Sequence, residues 1–95
     1  MANVTWNFRD TVALVSGGAS GIGRAATAAW LAAGARVTIL DQSPERLEET
    51  AGVLGGERLA TVCGDVTAVE DCERAVADTL ARFGALDVVL NSAGT

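Results

Sequence analysis

The 95-residue chain contains no histidine, no tyrosine and no lysine, and only two cysteines. Without histidine a structural zinc site lacks its usual ligands, and no other metal-ligating constellation is present. Cys63 and Cys72 are too few for a disulfide framework and too far apart for a Cys-x-x-Cys redox pair. They are expected as reduced core thiols, one ending an apolar strand and one on a helix. All seven basic residues are arginines, scattered singly through a chain of net charge −5. No basic stripe exists to displace counterions from a nucleic acid, which argues against DNA or RNA as a partner. No apolar run approaches the roughly 20 residues that span a bilayer. The start, Met1 to Trp6, lacks the charged segment and long apolar run of a signal peptide. A soluble, cytoplasmic protein is the expectation. Its length suits one domain, and a hydrophobic content of 49% suits a packed core.

What the chain does have is glycine in one revealing place. The apolar run Val12–Val15 leads into Ser16-Gly17-Gly18-Ala19-Ser20-Gly21-Ile22-Gly23, and an alanine-rich helical pattern leads out. Strand, glycine turn and helix in that order make the context of a nucleotide-phosphate loop. Glycines let the backbone approach a ligand, and the free amides opening the helix point at an anion. Thr11–Ser16 reads as a buried parallel strand. A helix follows over about 21–33, with Ile22, Ala25, Ala26, Ala29, Trp30 and Ala33 as its apolar, core-facing stripe and Gly34 as its left-handed cap.

Arg36–Leu40 forms a second strand ending at Asp41, and Ser43-Pro44 opens a second helix that runs to about Leu54. Glu45, Glu48 and Glu49 make an exposed acidic face on it. Leu59–Cys63 is the third strand, terminated by Gly64-Asp65. Thr67 to Glu70 fits a capping box, and the third helix presents Val69, Cys72, Val76, Leu80 and Phe83 on one core-facing side until Gly84. Leu86–Leu90 is the fourth strand, followed by Asn91-Ser92-Ala93-Gly94-Thr95. Residues 1–10 are a polar lead-in. Alternating strands and helices with short connections predict an α/β fold, a partial Rossmann-type doubly wound parallel sheet of four strands in the order 3-2-1-4 with three helices. Two helices should cover one face, leaving the fourth strand's outer edge and much of the other face without partners. The glycine turn, Asp41, Asp65 and Asn91 all fall at carboxyl ends of strands, where such sheets bind ligands.

The spacing Gly17-x-x-x-Gly21-x-Gly23, with Ile22 between the last two, resembles the opening of the short-chain dehydrogenase/reductase family. Ser16 stands where the family usually has threonine. Asp65-Val66 matches the family's Asp-Val pair, and Asn91-Ser92-Ala93-Gly94 its Asn-Asn-Ala-Gly, with Ser92 a departure. The resemblance covers about residues 8–95. It implies a nicotinamide dinucleotide bound by Gly17, Ser20, Gly21, Ile22, Gly23, Asp41, Gln42, Asp65, Val66, Asn91, Ala93 and Gly94. Asp41 can accept from both adenosine ribose hydroxyls and repels a 2′-phosphate, while Ser20 and Gln42 stand where NADP-binding relatives carry a basic residue. NAD is therefore expected over NADP. Asp41 as a mere turn residue beside Ser43-Pro44, and Asp65 as a mere helix cap, are the competing readings.

The resemblance also implies hydride transfer between the cofactor and an alcohol or ketone, with a Tyr-x-x-x-Lys helix handling the proton. Neither residue type occurs here. The expectation is thus an incomplete NAD(P)-binding domain over 1–95: the cofactor-binding half of a longer, homo-oligomeric dehydrogenase or reductase, itself inactive and with no catalytic residue. A stand-alone NAD-binding or regulatory module is the alternative. A methyltransferase-like nucleotide fold fits less well, because Asp65-Val66 would go unexplained.

Overall fold

The computed structural model describes residues 8–92. Its elements are β1 (Val12–Ser16), α1 (Gly21–Ala32), β2 (Arg36–Asp41), α2 (Pro44–Leu54), β3 (Leu59–Cys63), α3 (Val69–Phe83) and β4 (Val88–Asn91). The four strands form one parallel sheet in the order β3-β2-β1-β4, the partial doubly wound arrangement expected from the sequence. Of the lead-in only residues 8–10 are described. Phe8 donates its amide to Ala33 O at 2.9 Å, and Thr11 donates back to Phe8 O.

Strand side chains alternate between two cores. Ala13, Val15, Val37, Ile39 and Leu59 pack on Leu31 of α1 and Leu47 of α2. Leu14, Leu40 and Val62 pack on Ala75 of α3. Two helices therefore cover one face and one helix the other, leaving β4 an outer strand with Val88 and Val89 exposed. Among the described residues no helix is long and apolar enough to cross a membrane.

Element boundaries shift by a residue or two from expectation, most at β4. There Asp87 Oδ2 accepts the Val12 amide at 2.8 Å, so a side chain takes the place of a ladder carbonyl and the strand starts only at Val88. Gly34 follows α1 with φ +97°, and Ser43 caps α2 by accepting the Arg46 amide at 3.2 Å.

The helix faces differ more. α1 buries Gly23, Thr27 and Leu31, whereas Ile22 is 76% exposed and Ala25 and Ala29 are also exposed; only Trp30 of the expected stripe packs against the core, half-buried. The cause is the close approach of α1 to the glycine turn, which only the thin Gly23 side allows. Thr27 joins that side by donating its hydroxyl to Gly23 O at 2.8 Å, which frees its methyl group for the core. α3 behaves alike. It buries Ala75 and Thr79, with Thr79 Oγ1 donating to Ala75 O at 2.7 Å; of the expected stripe Cys72 and Val76 pack half-buried against the core, while Val69 and Leu80 are exposed. The expected capping box is not formed. Ala68 is the N-cap and has no side-chain cap bond, because Thr67 is engaged by Asp65 instead. Nor are the thiols both core residues: Cys63 is exposed at the end of an edge strand, and Cys72 is half-buried.

Candidate functional site

Parallel pairing brings the carboxyl ends of β1, β2, β3 and β4 together at one end of the sheet. There a cleft of about 550 Å³ opens. Of the expected site residues, Gly17, Ser20, Gly21, Ile22, Asp41, Gln42, Asp65 and Val66 line it. Gly23 and Asn91 are not among its lining residues, and Ala93 and Gly94 lie outside the described residues. Arg46, Thr67 and Ser92 line it as well, and sequence reasoning gave none of them a place there.

The glycine turn between β1 and α1 is held from both sides. Gly17 and Gly21 take φ +75° and +56°, the left-handed region that favours glycine. A Cβ on Gly23 would strike the Gly17 carbonyl oxygen and the Ser92 hydroxyl, which fixes the third glycine by packing. From β4, Ser92 Oγ donates to Ser16 O at 2.8 Å and to Gly17 O at 3.3 Å. Ser16 Oγ donates to Asn91 Oδ1 at 2.8 Å, tying β1 to β4 where the register already sets them opposite. From α2, the buried Thr50 hydroxyl donates to Ala19 O at 3.4 Å. The Ser92 clamp could be suspected from a hydroxyl just past a strand end, but its partners are backbone atoms 75 and 76 residues away.

The amino end of α1 faces this cleft uncapped. Ser20 is extended, its side chain makes no cap bond, and no acidic residue occupies the first turn. The first amides of a helix have no intrahelical acceptor, so the site offers donors and a positive dipole end to an anion. This is what a dinucleotide's diphosphate requires.

Asp41 ends β2 only 5% exposed. Its Oδ2 accepts from the Ala19 amide at 3.3 Å and its Oδ1 from the Ser43 amide at 3.0 Å. The carboxylate therefore holds the two turns together, and each oxygen keeps a further lone pair for a ligand hydroxyl. Asp65, exposed, accepts at Oδ1 from the Thr67 hydroxyl at 2.6 Å and the Thr67 amide at 2.8 Å. Those two bonds, the hydroxyl's first, hold its carboxyl below the ordinary aspartate range. Its Oδ2 is left open toward solvent, and the Asp65 amide donates to Asp71 Oδ2 at 2.7 Å. The donor and acceptor set thus fits a dinucleotide: amides for the diphosphate, carboxylates for ribose hydroxyls and a base amino group.

Comparisons with known proteins identify the family and the fold. The profile of the family described as short chain dehydrogenase matches residues 11–95. Cis-2,3-dihydrobiphenyl-2,3-diol dehydrogenase from Paraburkholderia xenovorans (strain LB400) is 42% identical over 87 residues, covering 92% of this chain and 31% of that protein. Among solved structures, the short-chain dehydrogenase/reductase glucose/ribitol dehydrogenase from Brucella melitensis superposes with TM-score 0.85 at 33% identity, over 90% of this chain and 37% of the other. A 3-ketoacyl-(acyl-carrier-protein) reductase from Brucella melitensis, complexed with NADH, gives 0.81 at 30% identity, over 87% and 34%. The chain spans about a third of the length of the curated relatives it matches.

Proposed function

The chain belongs to the short-chain dehydrogenase family, and from that premise we propose that its cleft binds NAD as the cofactor-binding part of an oxidoreductase acting on an alcohol or ketone. The observation that carries this reading is the convergence of four separate strand ends, with an uncapped helix, on one cleft. The amides of Gly21, Ile22 and Gly23 would hold the diphosphate, with Gly17 and Ser20 shaping the turn. Asp41 and Gln42 would take the adenosine ribose hydroxyls, and Asp65 Oδ2 and the Val66 amide the adenine edge. Asn91 would brace β4 against β1 beside the cofactor, and the family resemblance gives Ala93 and Gly94, outside the described residues, to the cofactor ribose.

When bound, the nicotinamide supplies or accepts the hydride. No tyrosine or lysine occurs among these 95 residues, so proton transfer of the Tyr-Lys kind is not theirs. The reading is that residues 1–95 form part of a dinucleotide-binding domain, inactive by themselves, in a cytoplasmic and homo-oligomeric enzyme. The same absence favours one alternative, a non-catalytic NAD-binding or regulatory module.

Calorimetric titration of the chain with NAD tests the reading, and saturable one-to-one binding is expected. Asp41→Ala combined with Gln42→Arg should move the preference to NADP, since it removes the ribose acceptor and adds a phosphate donor. No NAD binding by the wild-type chain, or an unchanged preference in the double variant, overturns it. Turnover of an alcohol with NAD by the 95-residue chain itself would overturn the assignment of chemistry to residues elsewhere.

A further inference from the structure

Arg46 lies one turn into α2, and its side chain lines the cleft beside Asp41 and Gln42. The Ser43 cap fixes the start of that helix, because Ser43 Oγ accepts the Arg46 amide. Ion pairs among the described residues join Arg24 to Glu49 and Arg74 to Asp71, so the Arg46 guanidinium has no acidic partner. Among the described residues it is the one cation in a wall that otherwise carries two carboxylates, Asp41 and Asp65. Asp41, meanwhile, is a muted charge. Each of its oxygens already accepts a hydrogen bond from a backbone amide, whose dipole offsets part of the carboxylate's field. A carboxylate so compensated repels a nearby phosphate less than a free one does, while an unpaired guanidinium attracts it and matches its oxygens two at a time.

We propose that Arg46 is a specificity-determining residue of this cleft: its guanidinium meets the 2′-phosphate of NADP, so Asp41 gives a graded preference for NAD and not an exclusion of NADP. The proposal rests on the cleft being the dinucleotide site. Gln42, between the two charges, adds an amide donor on the same side. Because the contact is made at an exposed residue, it weakens as salt rises.

The test is equilibrium binding of NAD, NADP, 5′-AMP and 2′-AMP to the wild-type chain and to Arg46→Ala and Arg46→Lys, at low and moderate salt. Wild-type protein should bind both dinucleotides, NAD more tightly. Arg46→Ala should lower NADP affinity roughly tenfold more than NAD affinity, the scale of one charge-assisted hydrogen bond. The same discrimination should appear for 2′-AMP against 5′-AMP, and Arg46→Lys should restore part of it. Equal loss for both dinucleotides would mean that Arg46 stacks on the adenine, and overturns the proposal. So does wild-type protein that binds NAD and not NADP. Binding of neither dinucleotide would instead bring down the cleft assignment on which the proposal rests.

Discussion

Gly23 sits where α1 passes over the glycine turn, and its missing side chain leaves room for two groups at once. A Cβ there would meet the Gly17 carbonyl oxygen, which is backbone, and the Ser92 hydroxyl, which is a short side chain already bonded to Ser16 O and Gly17 O. Neither can move without breaking the clamp. Gly52 is the opposite case, helical and with nothing within 4 Å of a Cβ. Gly23→Ala should therefore cost about 2–3 kcal/mol of stability, the scale of an overpacked site. Gly52→Ala should gain roughly 0.5–1 kcal/mol, by reducing the freedom of the unfolded chain and improving helix propensity. Urea denaturation of the two variants checks this, and equal midpoints would show that α1 can lift off the turn at little cost. Combining Gly23→Ala with Ser92→Ala should recover only a fraction of the loss, because the Gly17 carbonyl stays in place.

Among the elements, the turn entering α3 is held by a side chain whose charge state matters. Asp65 Oδ1 accepts twice from Thr67, and these bonds favour the carboxylate over the acid. A carboxyl lowered in the folded state stabilises the fold above the ordinary aspartate range near pH ~3.9, and that contribution is lost as pH falls through the lowered value. Thr67→Val removes the hydroxyl donor and keeps the amide. The Asp65 carboxyl, followed by NMR titration, should then move up toward its ordinary range, and acid unfolding should begin at higher pH. An unmoved titration would show that the Thr67 hydroxyl does not hold the charge.

Element order was legible in the sequence, whereas the helix faces were legible only in part: Trp30, Cys72 and Val76 pack on the cores as expected, and the rest of the two stripes does not. Order follows from local signals, such as apolar strand runs, Ser43-Pro44 and the glycines. The α1 and α3 faces depend on Thr27 and Thr79, which read as polar and yet are buried because each returns its hydroxyl to a carbonyl four residues back. Thr50 is buried through the Ala19 carbonyl in the glycine turn, and Thr38 Oγ1 has no hydrogen-bond partner among the described residues. The site's glycines and Asp41 were visible through their spacing after β1 and β2. Arg46, Thr67 and Ser92 were not, because what brings them to the cleft is the arrangement of strand ends and no feature of their own neighbourhoods.

At the scale of the whole molecule the sheet is covered unequally. α1 and α2 close one face, while the other has α3 alone and the β4 edge. Val89 is 61% exposed on that outer strand, Val88 lies beside it, and α3 turns Val69 and Leu80 outward. Val66, Val69, Cys72 and Val76 also line an open groove of about 480 Å³. An exposed parallel edge next to apolar surface is a template for pairing with another chain. The 95-residue chain in solution should therefore associate in a concentration-dependent way. Lysine on an edge strand opposes such pairing, and the Val89 side chain contributes little to either core. Val89→Lys should therefore shift the chain toward monomer while changing its unfolding free energy by less than about 0.5 kcal/mol. Sedimentation velocity over a range of concentrations, with urea denaturation of the same samples, measures both quantities. A wild-type chain that stays monomeric throughout, with the profile of the lysine variant, would show that this edge is already protected by the twist and shortness of β4. Association that survives the substitution would move the sticky surface from the strand edge to the α3 groove.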